Sequence, residues 1–397
     1  MQPSPATLRL YYATSFAALG VYLPLFPPWL EARGVHGLAM GAVAATLPAM
    51  GIIGPPAFGA VADALGLRGS LLRVACAGAC LSIGAVAAAT LLGRPLGFAG
   101  LIVAFTAFAF FRSPMVPLAD VLALELERER GFAYGRMRLF GSIGFLAAAA
   151  VAGRVVDPRA PAAFPLAVAA LLLVAFGSAW LLPAGRSAAA VAPAVGGGVG
   201  ELLATADVRL FLATAFLSQC AHSSYDLCFS LRLYDLGASG GVVGAAWAIG
   251  VGAEILLMAV AAPLFDRFRA PRLVAFGLAG ASVRWTLIAR VASPAALLAL
   301  QPLHALSFAV VWLGFLSWTR RRAPAHLIGT VQGLFTASAA AGSVVGMLVW
   351  GPLYRRGGGA ATFGVASAVA IVACAVAIGW GARATPVADR VASSPAG

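Results

Sequence analysis

The sequence predicts an all-α integral membrane protein of twelve transmembrane helices. Of its 397 residues, 61% are hydrophobic and only 10% are charged. Apolar runs of about 20 residues recur from end to end, and each can cross a hydrocarbon core of about 30 Å at 1.5 Å per residue. Soluble domains carry about 25% charged residues, so a soluble fold is excluded.

The runs, broken by Arg, Gly and Pro clusters, predict helices over 8–30, 39–61, 74–92, 98–119, 137–155 and 164–182, then 208–231, 241–262, 273–291, 295–316, 327–349 and 360–381. Arg9 followed by a long apolar run without a small-residue cleavage site reads as a retained first helix. The Ala-, Gly-, Val- and Pro-rich stretch between the two sixes reads as a flexible linker. The expected organisation is therefore a six-helix bundle over 1–183, a cytoplasmic linker over 184–206, a second bundle over 207–383 and a cytoplasmic tail over 384–397. Two six-helix halves can rock about a central site.

The net charge of +13 comes from arginine alone, since the chain has no lysine. A phosphate-binding GxxxxGK[ST] loop is thereby excluded, and uphill work must draw on an ion gradient or another protein. With the N-terminus inside, the inner segments hold seventeen of the 27 arginines, which places both termini in the cytoplasm. The basic balance reads as loops facing anionic lipid rather than nucleic acid. The five cysteines lie in apolar runs without metal-site spacing, and no HExxH or histidine-rich loop is present. No cofactor, metal or enzymatic activity is expected.

Gly59-Ala-Val-Ala-Asp63-Ala-Leu-Gly66-Leu-Arg68, between the second and third helices, resembles the inner-loop motif of the major facilitator superfamily. A small residue at Gly59 permits close helix approach. Asp63 can cap or pair with a cation on the neighbouring bundle. The resemblance implies a conformational latch at Asp63 and Arg68, with the basic cluster thinned to Arg68 and Arg73. Leu10 to Pro24, Pro117-Leu-Ala-Asp120, Tyr134 to Phe145, His222-Ser-Ser-Tyr225, Trp247 to Glu254, Arg284-Trp285 and Gln301-Pro-Leu-His304-Ala are similar to the phenylpropionate permease branch, near the lactose permease and nucleoside/proton symporter groups. Asp120, facing Arg136 and Arg138 across a short charged loop, reads as a gating or bundle-holding ion-pair network.

Charges deep in the membrane cost about 2.5–3.5 kcal/mol on insertion scales and need a partner or a purpose. Glu254, Arg284 and His304 fall about 20, 14 and 14 Å from the outer side, on helices 8, 9 and 10. They resemble the proton-coupling constellation of lactose permease, without its additional acid on helix 10. A low-dielectric cavity favours a neutral carboxyl and a nearby guanidinium favours a carboxylate, so moving Arg284 against Glu254 would bind or release a proton. A static Glu254–Arg284 pair is the structural alternative. His222 and Asp226 share a face of helix 7, with Tyr225 beside it. Asp226 suits a second protonation site, a substrate contact or an outer-gate partner for Arg232. Arg112 suits a substrate carboxylate, or else a backbone carbonyl or Asp120. Tyr22 and Trp247 are expected to line the cavity.

The residues and the resemblance together imply a monomeric, proton-coupled symporter of a bacterial-type inner membrane, importing a small organic acid such as an aromatic carboxylate, with nucleosides or sugars as neighbouring possibilities. A proton-driven exporter of drugs or metabolites and a non-transporting sensor are the alternatives.

Overall fold

The computed structural model describes residues 5–131, 133–182, 199–323 and 327–383, and these contain helices and no strand. The helices are α1 (Pro5–Glu31), α2 (Gly37–Leu65), α3 (Arg68–Leu91), α4 (Phe98–Arg112), α5 (Met115–Arg130), α6 (Tyr134–Val155), α7 (Ala163–Trp180), α8 (Val199–Ala204), α9 (Ala206–Asp235), α10 (Gly240–Val260), α11 (Ala262–Arg267), α12 (Ala270–Arg290), α13 (Pro294–Ala299), α14 (Val311–Arg322) and α15 (Ile328–Arg383), with a π-helical turn at Ala305–Val310 before α14. Twelve passes result. α4 and α5 make one, interrupted beside Pro114, which cannot donate an intrahelical hydrogen bond. α13, the π turn and α14 make another. α15 holds two, and its direction changes at Gly358, where φ is +62°.

Eight helices among the described residues are individually long and apolar enough to cross a bilayer, with α15 counted once. α9 is long enough but is interrupted by Ser218, His222, Ser223, Ser224 and Asp226. Its polarity is tolerable because most of these side chains are buried in protein rather than turned to lipid.

Most of the predicted linker, and the whole predicted tail, lie outside the described residues. The described end of the linker is not flexible coil: residues 199–204 form α8, and the Thr205 hydroxyl caps α9 by accepting from the Val208 N–H at 3.4 Å.

The two halves meet at the ends that the arginine distribution assigns outward. A Cβ placed on Gly41 of α2 would lie 2.2 Å from the Met347 carbonyl of α15, and one on Gly244 of α10 would lie 2.2 Å from the Ala149 carbonyl of α6. Only glycine allows backbones this close. Toward the other face, nothing lies within 4 Å of a Cβ at Gly59. The close helix approach expected at Gly59 is not made in this conformation.

Gly244→Trp should therefore prop the outer ends apart. Spin labels on the outer loops of the two halves should shift to longer distances, with transport reduced at least tenfold; an unchanged distance distribution would contradict this packing.

Candidate functional site

α9, α10, α12 and the α13–α14 pass bring the polar residues of the second half together. Arg284 on α12 is 0% exposed. Its Nη1 donates to His304 Nδ1 at 2.8 Å and to Ser307 Oγ at 3.0 Å, and its Nη2 donates to Gln301 Oε1 at 2.9 Å. Tyr225 and Trp285 cover the guanidinium, with ring centroids 4.5 and 4.8 Å from Cζ. Glu254 on α10 does not touch Arg284. His304 stands between them, its Nε2 2.5 Å from Glu254 Oε1. Since arginine can only donate, His304 Nδ1 must accept, which assigns the ring proton to Nε2 and directs it at the Glu254 carboxylate.

This order departs from the static Glu254–Arg284 pair that stands as the structural alternative. An imidazole has one nitrogen to accept and one to donate, so it bridges a guanidinium and a carboxylate that are too far apart to meet. The π turn assists: His304 immediately precedes it, Ser307 lies within it, and Phe308 stacks on the His304 ring at 5.6 Å. The extra residue of a π turn rotates the following side chains relative to an α-helix, and such turns concentrate at functional sites.

On α9, His222 Nε2 lies 3.8 Å from Asp226 Oδ1, and the His222 and His304 rings are 5.4 Å apart. Arg232 is not the partner of Asp226; it donates to the Val291 carbonyl at 3.3 Å. The Tyr225 hydroxyl donates to Gln301 Oε1 at 3.0 Å, and Trp247 donates to Ser230 Oγ at 3.0 Å.

The first half contributes Arg112, at the end of α4 and 4% exposed. It donates to the Ser15 carbonyl at 3.2 Å, and its Nε has no hydrogen-bond partner. Asp120 is engaged elsewhere. Tyr22, expected at the cavity, is instead 3% exposed within an aromatic cluster of Phe26, Phe105, Phe108 and Phe164. Tyrosine on a helix packed among phenylalanines follows its apolar ring rather than its hydroxyl.

The MFS_1-like family model matches residues 6–365. The chain belongs to that family of major facilitator transporters. It is 30% identical over 381 residues to a curated relative named "Probable 3-phenylpropionic acid transporter" of Escherichia coli (strain K12), covering 92% of this chain and 95% of the relative. A maltose permease of Geobacillus stearothermophilus is 30% identical over 349 residues, with 83% and 82% coverage. Among solved structures, the nucleoside transporter NupG superposes with a TM-score of 0.77 at 15% identity, covering 95% of this chain and 98% of that one. The POT family transporter PepTSo gives 0.73 at 14%, covering 96% and 98%. An MFS_1-like protein is a multi-pass secondary transporter of a small-molecule substrate, and it is not an enzyme.

In this MFS_1-like chain the inner-loop motif folds onto its own half. Gly66 ends α2 at φ +67°, a conformation that glycine adopts freely. The turn points Arg68 inward, where it is 5% exposed and bonds Asp63 Oδ1 and Glu125 Oε1, both at 2.9 Å. Asp63 thus pairs within its own loop, not with the neighbouring bundle as expected. Asp120 Oδ1 accepts from the Tyr12 hydroxyl at 2.6 Å and lies 3.6 Å from Arg138 Nε. Arg136 is exposed, and the expected network reaches Arg138 only.

Gln301, Ser307 and Tyr12 are site residues that residue-type reasoning passes over. The amide of Gln301 in an apolar run, three residues before His304, was the available signal.

Gln301→Leu strips Arg284 and Tyr225 of a shared buried acceptor. Equilibrium unfolding should show a loss of about 2 kcal/mol, since hydrogen bonds to charged groups contribute about 1.5–3 kcal/mol. Asp63→Asn should slow turnover several-fold with little change in substrate affinity, measured by uptake and by direct binding; an affinity loss alone would contradict a latch.

Proposed function

We propose that this transporter is a proton-coupled symporter that imports a small organic anion, with an aromatic carboxylate the best-fitting class. It acts as a monomer in a bacterial-type inner membrane, with both termini cytoplasmic. The observation that carries the reading is the series Glu254–His304–Arg284, in which a partly buried carboxyl group is separated from a sealed guanidinium by a single buried imidazole. A rocking motion that shifts α10 against α12 changes that spacing, and with it the energy of the protonated against the ionised carboxyl. Proton binding is thereby tied to the conformation of the two halves.

Arg112 supplies the complementary feature in the first half. A buried guanidinium with a carbonyl contact and a free Nε suits a substrate carboxylate, which accepts from the planar fork. The relative named for 3-phenylpropionic acid supports an aromatic acid. His222, Tyr225 and Trp247 are the nearby aromatic groups expected to meet the substrate, with Asp226 as a second protonatable group. Asp63, Arg68, Asp120 and Arg138 would govern the inner gate.

Uptake of labelled 3-phenylpropionate into right-side-out and inverted vesicles, under an imposed pH gradient, tests coupling and direction together. Inward accumulation with the proton gradient is expected; accumulation against it would mark an exporter, and binding without accumulation a sensor. Glu254→Gln should abolish uphill uptake while exchange of internal for external substrate persists. A variant that still concentrates solute would remove Glu254 from the coupling step.

A further inference from the structure

Among the described residues, five formal charges lie well inside the passes: Asp120, which is paired with Arg138 at 3.6 Å toward the inner end, and Arg112, Glu254, Asp226 and Arg284, none of which is paired with an oppositely charged arginine or carboxylate. Arg112 and Glu254 each stand about 21 Å below the outer ends of α4 and α10; Asp226 and Arg284 stand about 14 and 9 Å below those of α9 and α12. The charged groups of the inner loop, Asp63, Arg68 and Glu125, are already paired near one face. The other four charges sum to zero, yet neither arginine touches a carboxylate: the hydrogen bonds of Arg284 go to His304, Ser307 and Gln301, and that of Arg112 to a backbone carbonyl.

From this inventory, and resting on the proton-symport reading above, we infer that the carrier moves one proton with one monocarboxylate and no net charge. The empty, unprotonated carrier holds Arg112 and Arg284 against Glu254 and Asp226 and is neutral. A monoanion at Arg112 alone leaves an excess of one negative charge. A proton on the second-half acids alone leaves an excess of one positive charge. With both aboard the sum returns to zero. Passage between the two open states requires a form that excludes water on both sides, where an uncompensated charge is strongly penalised. Only the empty and the doubly loaded carrier avoid that penalty, so the charge count itself enforces one-to-one coupling.

The groups that face the proton site fit this count. Glu254 meets His304 from the π-turn pass, and beyond it Arg284 of α12. α9 presents Tyr225, His222 and Asp226. His304 stays neutral, because its Nδ1 accepts from a guanidinium. His222 Nε2 faces Asp226 Oδ1 at 3.8 Å, and its ring stands among His304, Tyr225, Trp285 and Phe308, so a proton held there is shared with that acid and leaves the count unchanged. The two carboxyls therefore share the one exchangeable proton. Neutral sugars and nucleosides would leave Arg112 uncompensated in the loaded, protonated form and are excluded as cosubstrates.

The test uses the full chain in proteoliposomes, with labelled 3-phenylpropionate and a fixed inward pH gradient. Initial uptake is taken above that of protein-free liposomes, at zero potential and at about −100 mV set by potassium and valinomycin, and charge displacement is recorded on a supported membrane. The expected result is an unchanged rate and no steady current. One net charge per cycle would gain a driving factor of about 50 from that potential; a rate rising several-fold with it, or a sustained current, overturns neutral stoichiometry while leaving symport intact. Absence of gradient-driven uptake overturns the symport reading and this inference with it.

Discussion

A guanidinium sealed inside a membrane protein with no carboxylate against it organises the second half of this transporter. Burying such a charge costs several kcal/mol even after relaxation. Arg284 meets the cost with four neutral or indirect compensations: the imidazole of His304, the amide oxygen of Gln301, the hydroxyl of Ser307 and the faces of Tyr225 and Trp285. The acid that balances it, Glu254, is reached through the imidazole. That arrangement fixes which residues α9, α10, α12 and the α13–α14 pass must present, and it explains why the last of these carries a π turn at this depth.

The same constraint links chemistry to motion. The halves touch through glycines at the end assigned outward, where Gly41 and Gly244 bring backbones into contact. The Arg284 array lies in the second half and Arg112 in the first, both buried. A transporter whose halves carry one under-compensated guanidinium each has a physical reason to take up an anion and a proton as it closes. The inner-loop cluster of Arg68, Asp63 and Glu125 serves a different purpose. Within a single half it holds the end of α2, the start of α3 and the end of α5 in register.

The passes were legible because apolar runs of membrane length leave little freedom, and every predicted run is helical in the structure. The breaks within them were not: the step beside Pro114, the π turn and α8 depend on local backbone choices that hydropathy averages away. At the site, the rarity of charge inside apolar runs singled out Glu254, Arg284 and His304, although their depths counted on the observed helices differ, about 21 Å for Glu254 against about 9 Å for Arg284. Their order of contact was not legible, because it depends on side-chain reach and on ring nitrogens rather than on spacing. Gln301 stands in a quoted family stretch without a site role for a related reason: an amide becomes informative only when both of its buried donors, Arg284 and Tyr225, converge on it. Tyr22 was misplaced because a tyrosine's ring and hydroxyl point to opposite environments, and here the ring prevailed.

In the proposed symport, substrate and proton strengthen each other's binding through this array. By linkage, an effect of the proton on anion affinity requires an equal effect of the anion on proton affinity. The direct measurement is the pH change of a lightly buffered solution of purified transporter when 3-phenylpropionate is added, read with an indicator dye. Net proton uptake approaching one per carrier, abolished in Glu254→Gln, is the predicted result; saturable binding with no proton uptake in the unaltered protein would contradict it.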